Sequence, residues 1–173
     1  MKVSTLVIAG SLLIPAAAAF AQNINDAQIA SIVVTANQVD IDAGKLAAGR
    51  TTTTEVKKFA EQMVAEHTGV NTSAVALVTK LKVTPEDNPT SQSLKAGGDA
   101  NLAALKGLKS AAFDKAYIDH EVVYHQAVLD ALDKTLIPGA KNAELKALLV
   151  KVRPAFVAHL EHAKHLQSSL AGK

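Results

Sequence analysis

The sequence predicts an all-α protein: an antiparallel four-helix bundle with a long connection between its second and third helices. Three observations favour this class. Alanine is abundant, and aromatic residues make up only 3% of the chain. No stretch alternates apolar and polar residues for long enough to form a strand, whereas apolar residues recur every three or four positions in four long segments. Two of the gaps between these segments are tight turns, as expected for antiparallel helices.

Caps and helix breakers set the bounds of the four predicted helices. The Asn and Asp of residues 23–26 are N-cap candidates for the first helix, and Gly49 ends it. The threonines at 51–54 cap the second helix. The stretch IPGA ends the third, and Pro154 lies inside the fourth, where a bend is expected. The helices span about 25–48, 51–83, 110–136 and 141–170.

Residues 84–109 form the long connection in this prediction. Pro85 and Pro89 interrupt a helix, and the stretch AGGD indicates a turn. Within the connection, the segment DANLAALKGL has the composition of a short helix.

The first 21 residues predict a secretory signal peptide. Lys2 is followed by an apolar run over residues 3–14, a proline, and small residues that end at Ala21, where we expect cleavage. The mature chain, residues 22–173, is predicted to be one domain without a further apolar run long enough to cross a bilayer. No cysteine is available to carry a lipid anchor. We therefore expect a periplasmic or secreted protein.

Charge and cysteine content exclude several classes of protein. The chain has 18 basic and 16 acidic residues, and neither sign is gathered into a block, so a dedicated nucleic-acid-binding protein is not expected. Because the chain has no cysteine, it has neither disulfides nor thiolate ligands. A metal site would have to use histidine, carboxylate or tyrosine side chains.

Each predicted helix carries an ionisable residue inside its apolar stripe. These residues are Asp40, His67, Glu121 with His125, and His159. Burial of a charge is costly unless the charge is paired or bound to a metal, which predicts a shared site. Imidazole with carboxylate suits a Zn, Cu, Ni or Fe ion. Two other interpretations stay open: a buried hydrogen-bonded network that includes Tyr117 and Tyr124, or exposure of the histidines near the bundle ends.

Helical phase and residue counts refine this site. In FVAHLEHAKH, residues 156–165, His159 points inward while His162 and His165 turn towards the margin and the solvent. Counts from the two hairpins predict two polar layers about 10 Å apart if the hairpins lie at opposite ends of the bundle. If the hairpins share an end, the same groups spread over about 15 Å of depth.

Three segments carry a family resemblance. They are FAEQMVAEH at 59–67, FDKAYIDHEVVYH at 113–125 and RPAFVAHLEHA at 153–163. Together they resemble the ferritin-like domain of unknown function 4142 family, exported bacterial proteins that are often labelled membrane or outer-membrane proteins. The resemblance covers the mature chain and implies a ferritin-like fold. The resemblance places the characteristic residues of the family at Asp40, His67, Phe113, Asp114, Tyr117, His125, Pro154 and His159.

The sequence departs from the ligand pattern of ferritin-like di-iron proteins. Those proteins carry Glu-x-x-His on two helices, whereas Val64 and Phe156 stand three residues before His67 and His159. The sequence therefore favours a non-enzymatic binding or stress-related envelope protein whose internal His/carboxylate layer holds a transition metal. Two alternatives stay open: a degenerate ferritin-type oxidase or peroxide-detoxifying enzyme that depends on metal, and a metal-free interaction module with an envelope protein as its partner.

Overall fold

The computed structural model describes residues 24–171, and this part of the chain forms five helices and no strand. The helices are α1 (Asp26–Arg50), α2 (Thr54–Leu81), α3 (Pro89–Lys106), α4 (Ser110–Ala131) and α5 (Ala143–Ala171). A π-helical turn (Leu132–Leu136) and a short helical turn (Ile137–Gly139) extend α4. The predicted all-α class is confirmed. The predicted signal peptide, residues 1–21, lies outside the described residues.

Helix α3 corrects the prediction of an irregular connection. The side chain of Asn88 accepts hydrogen bonds from two backbone N–H groups of the first turn. Pro89 occupies the first helical position, where a backbone N–H would have no carbonyl partner within the helix, so the lack of an N–H in proline breaks no hydrogen bond. Gly98 lies against Val39, and a Cβ atom at Gly98 would come within 2.7 Å of a Val39 methyl carbon. Pro89 therefore begins this helix, and Gly98 allows it to pack closely against α1; neither residue interrupts it.

Polar contacts at the helix ends fix the helix directions. Asp26, at the start of α1, accepts hydrogen bonds from the backbone N–H groups of Lys141 and Asn142 in the turn before α5. Arg50, at the end of α1, donates to the carbonyl of Lys106 at the end of α3. The α1–α2 and α4–α5 turns therefore lie at opposite ends of the molecule. Helix α3 runs the length between them, parallel to α1, so that α2 and α4 run in the same direction.

The core consists of two apolar clusters with polar residues between them. One cluster includes Ile32, Leu132 and Leu149, and the other includes Phe59 and Met63. The order along each helix places the polar layer between the clusters: on α2, His67 follows Met63 of the second cluster and precedes Ala74 of the first. Asp40, His125 and His159 likewise lie between residues of the two clusters on their own helices. Each of these helices therefore contributes apolar residues on both sides of one polar layer.

In residues 24–171, none of the helices combines the length and apolar character that crossing a bilayer requires.

Candidate metal centre

The five residues singled out from the sequence lie close together in the interior. Each is at most 3% exposed. Nε2 of His67 and Nε2 of His125 lie 2.9 and 3.4 Å from the same carboxylate oxygen of Asp40. One ring nitrogen each from His67, His125 and His159 lie within 4.8 Å of one another, and ligand atoms of Asp40, Glu121 and His125 form a second such triad.

The prediction of two separate polar layers was wrong. Asp40 lies just past the middle of α1, and His67 lies at the middle of α2. His125 is at the middle of α4 when that helix is taken with its extension to Gly139, and His159 is close to the middle of α5. Because the connecting turns of these helices face opposite ways, the middle positions share one level. Side chains lean towards the N-terminus of their own helix, which brings antiparallel partners still closer.

A hydrogen bond to Asn37 sets the orientation of the His67 ring. Oδ1 of Asn37 lies 2.8 Å from Nδ1 of His67. The Asn37 amide cannot turn round freely, because its Nδ2 donates to the carbonyl of Val33 at 2.7 Å. The amide oxygen therefore accepts a hydrogen bond from the Nδ1–H group of His67. In this tautomer of the neutral ring, the lone pair of Nε2 faces Asp40.

His125 and His159 follow the same pattern with different outer partners. Nδ1 of His125 lies 3.1 Å from the backbone carbonyl of Glu121, one turn earlier on α4. Nε2 of His159 lies 2.7 Å from Oε2 of Glu66 on α2. Glu66 is partly exposed, with 43% of its side chain accessible, so it joins the buried His159 to the protein surface.

The inner atoms of the cluster have no hydrogen-bond partner within residues 24–171. They are Nε2 of His67, Nε2 of His125, Nδ1 of His159 and both carboxylate oxygens of Asp40. Nε2 of His67 is close to Asp40, but the pair does not have the alignment of a hydrogen bond. Unpaired buried polar atoms are rare and costly, so an arrangement of four such side chains facing one another calls for a proton or a cation between them.

A family model described as Domain of unknown function (DUF4142) matches residues 12–166. The chain belongs to this family. The resemblance seen in the sequence motifs is thereby confirmed. Among curated proteins and among solved structures, none matches the chain significantly.

In this DUF4142 protein, Asp40 carries the negative charge of the cluster. Burial by itself raises the pKa of the Asp40 carboxyl, but the neighbouring imidazoles, chiefly His67, outweigh burial and leave the pKa below its usual value. Burial lowers the pKa of His159 despite the hydrogen bond to Glu66. With Asp40 ionised and His159 neutral, both side chains have a lone pair that they can donate to a metal ion.

Glu121 has a different electrostatic role from Asp40. Burial, together with the nearby charge of Asp40, raises the pKa of Glu121 to about 8. Its Oε2 lies 3.4 Å from Nδ1 of His125. Burial alone lowers the pKa of His125, but Glu121 and Asp40 leave that pKa raised. Below pH 8, Glu121 is protonated. It then lies beside His125 as a neutral group and is a poorer metal ligand than the ionised Asp40.

Two residues that support the cluster were not among the candidates from the sequence: Asn37 and Glu66. In the sequence, Asn37 is an amide one turn before Asp40, inside an otherwise apolar stripe. Glu66 lies at the edge of the α2 stripe, so helical phase alone does not select it. Only the packing of α2 against α5 shows that it contacts His159.

The aromatic residue Phe156, three residues before His159, packs against the cluster. Its ring stacks on His67 at 5.1 Å between centroids and 9° between planes. His162 and His165 are exposed, as helical phase predicted, and His162 contacts the edge of Phe59 outside the cluster. The three histidines of residues 156–165 therefore do not act together.

Proposed function

We propose that this DUF4142 protein binds one transition-metal ion through His67, His125, His159 and Asp40. The observation that carries the proposal is the arrangement of the three imidazole rings. Each ring uses one nitrogen in a hydrogen bond to an outer partner and directs the other, unpaired, towards the centre of the cluster. Histidine ligands in metalloproteins are held by an outer hydrogen bond in this way.

The donor set suits particular metals. Three imidazoles and one carboxylate, without thiolates, favour Zn, Cu, Ni or Fe over Ca or Mg. Metal–nitrogen bonds of about 2.0–2.1 Å separate tetrahedral ligands by roughly 3.3 Å. Oδ2 of Asp40 already lies 2.9 and 3.4 Å from Nε2 of His67 and of His125. One nitrogen of each ring lies within 4.8 Å of the others, so the ligands would need to move inward by at most about 1 Å on binding. Side-chain torsions can supply this movement without a change in the helices.

The helix directions support a ferritin-like arrangement, which we propose for the fold. In it, α1, α2, α4 and α5 would form the bundle, and α3 would be the crossover between its second and third helices. Val64 and Phe156 stand three residues before His67 and His159, so neither Glu-x-x-His pair of a di-iron site is present. The proposal is therefore a single-ion site in a ferritin-like frame, which disfavours the di-iron oxidase alternative.

We further propose that the protein is exported and acts in the envelope as a metal-binding protein. The signal-peptide pattern of residues 1–21 and the lack of cysteine support export. A site that uses imidazole and carboxylate keeps its ligands in an oxidising compartment, where thiolates are lost to disulfides.

The test is a metal titration of protein purified without a histidine tag and stripped with chelator. We expect about one equivalent of Zn²⁺ or Co²⁺ by elemental analysis, and a rise in melting temperature with metal concentration. His159→Ala should remove the binding. The matched control is His165→Ala, which removes an exposed histidine from the same helix and should bind as the unmodified protein does.

Two results would contradict the proposal. One is a failure of the unmodified protein to bind Zn, Co, Cu, Ni or Fe. The other is equal binding by the His159→Ala and His165→Ala variants, which would assign the metal to surface histidines. Circular dichroism of each variant shows whether it remains folded.

A further inference from the structure

An apolar cavity of about 250 Å³ lies beside the histidine cluster, and all five helices contribute to its wall. Leu132, Leu136 and Leu149 form much of its wall. Two residues that contact His67 also line the cavity: Phe156, whose ring stacks on His67, and Asn37, which bonds to His67. The cavity is therefore separated from the candidate ligands by single side chains.

The polar groups in the inner wall are already used elsewhere. The Asn37 amide bonds to Val33 and His67. The hydroxyl of Tyr124 donates to the carbonyl of Ala36 at 2.8 Å. A molecule in the cavity would find few polar partners, so a charged or strongly polar group would lose its hydration without compensation. The wall thus selects for uncharged apolar molecules.

The cavity lies where α4 leaves regular helical geometry. Leu132 and Leu136 begin and end the π-helical turn, and both face the cavity. A π-helical turn costs helix regularity and is found frequently at functional sites. This is a second observation, independent of the cavity itself, that points to a function at this position.

A route from the solvent leads to the cavity. An open groove of about 480 Å³ between α3 and α4 shares Thr90, Leu94 and Tyr124 with the cavity wall. Tyr124 lines both spaces, and the ring of His120 stacks on it with 5.5 Å between centroids. Helix α3 packs mainly along α1 and touches α4 at few positions, so the groove can widen without disturbing the histidine cluster.

We infer that this cavity binds a small, uncharged, apolar molecule, such as a single aromatic ring or a short alkyl chain, which enters from the α3–α4 groove. The volume suits this class: an apolar cavity of about 150 Å³ admits benzene or xenon, and drug-sized ligands need roughly 300–1,000 Å³. The inference stands on the cavity alone; only the position of the ligand beside a metal ion rests on the proposed function.

Titration of metal-free protein with toluene, and separately with benzoate, tests the inference. We expect saturable toluene binding by calorimetry and no binding of benzoate, which has the same ring and a charge. Ala131→Leu places a larger side chain in the cavity wall and should weaken toluene binding at least tenfold. Ala116→Leu, a half-buried alanine on the same helix that does not line the cavity, should leave toluene binding unchanged.

Methyl NMR of the unmodified protein gives a readout that does not depend on how the variants fold. Toluene should shift the methyl signals of Leu132 and Leu149 and leave those of Leu105, in the other apolar cluster, in place. The inference is overturned if toluene does not bind, if benzoate binds equally well, or if the shifted signals belong to Leu105. Because the protein is metal-free, a failure of metal binding does not affect this result.

Discussion

Asn37 offers a test of how the site is built that does not remove any candidate ligand. Asn37→Leu takes away the acceptor that holds Nδ1–H of His67 at 2.8 Å. The His67 ring then loses both its fixed orientation and its preferred tautomer, and its inner nitrogen is no longer held as a lone-pair donor. Loss of such outer hydrogen bonds costs about 10- to 100-fold in metal affinity, or about 1.4 to 2.7 kcal/mol.

The same change also affects the metal-free protein. A buried N–H left without a partner costs about 1–3 kcal/mol, and each kcal/mol lowers the melting temperature of a chain of this size by about 2–4 °C. Two effects are therefore expected together: a lower melting temperature without metal and a smaller rise on addition of Zn²⁺.

Competition between the protein and a chromogenic chelator measures the affinity, and urea unfolding measures the stability. Asn37→Asp keeps an acceptor for Nδ1–H of His67 but loses the donor to the Val33 carbonyl, so it should retain more affinity than Asn37→Leu. Gln38→Leu, at the exposed neighbouring position, is the control. If Asn37→Leu binds Zn²⁺ as tightly as the unmodified protein does, the proposed orientation of His67 is refuted.

Two further predictions concern stability. Gly97→Ala should raise the free energy of unfolding by about 0.5–1 kcal/mol, because Gly97 is exposed inside α3 and its added Cβ meets nothing within 4 Å. Gly98→Ala should lower the free energy of unfolding by about 1–3 kcal/mol, because its Cβ would come within 2.7 Å of Val39. Urea unfolding of both variants measures these changes, and equal changes in the free energy of unfolding would contradict the close packing of α3 on α1 at Gly98. In metal-free protein, Glu121→Gln should be more stable than the unmodified protein at pH 8.5 but not at pH 4. Burial raises the pKa of Glu121 from 4.5 to about 8, so folding favours the protonated form. The unmodified protein therefore loses stability as the pH rises from 4.5 to 8, by more than about 1 kcal/mol. Equal pH profiles for the two proteins would contradict this burial of Glu121.

Local sequence signals succeeded where a helix needs only its own residues. Apolar periodicity found four of the helices within a few residues of their bounds, and Asn25 was recognised as a cap candidate for α1. The same signals failed for α3. Pro89 and the pair Gly97-Gly98 are helix breakers in isolation, yet Pro89 lies at the first helical position, where proline is favoured. Gly98 is required by contact with Val39, which lies on a different helix, far away along the chain.

The sequence by itself determined the helical class, the family and the inward direction of Asp40, His67, His125 and His159, because helical phase depends only on the spacing of residues along one helix. It did not determine that these four groups meet. Their shared depth depends on where the turns fall and on the turns lying at opposite ends of the molecule, which are properties of packing between helices. The partners Asn37 and Glu66, the stacked ring of Phe156 and the adjacent cavity follow from the same packing. Tertiary structure alone decided that four buried polar residues form one cluster with its free nitrogens facing inward.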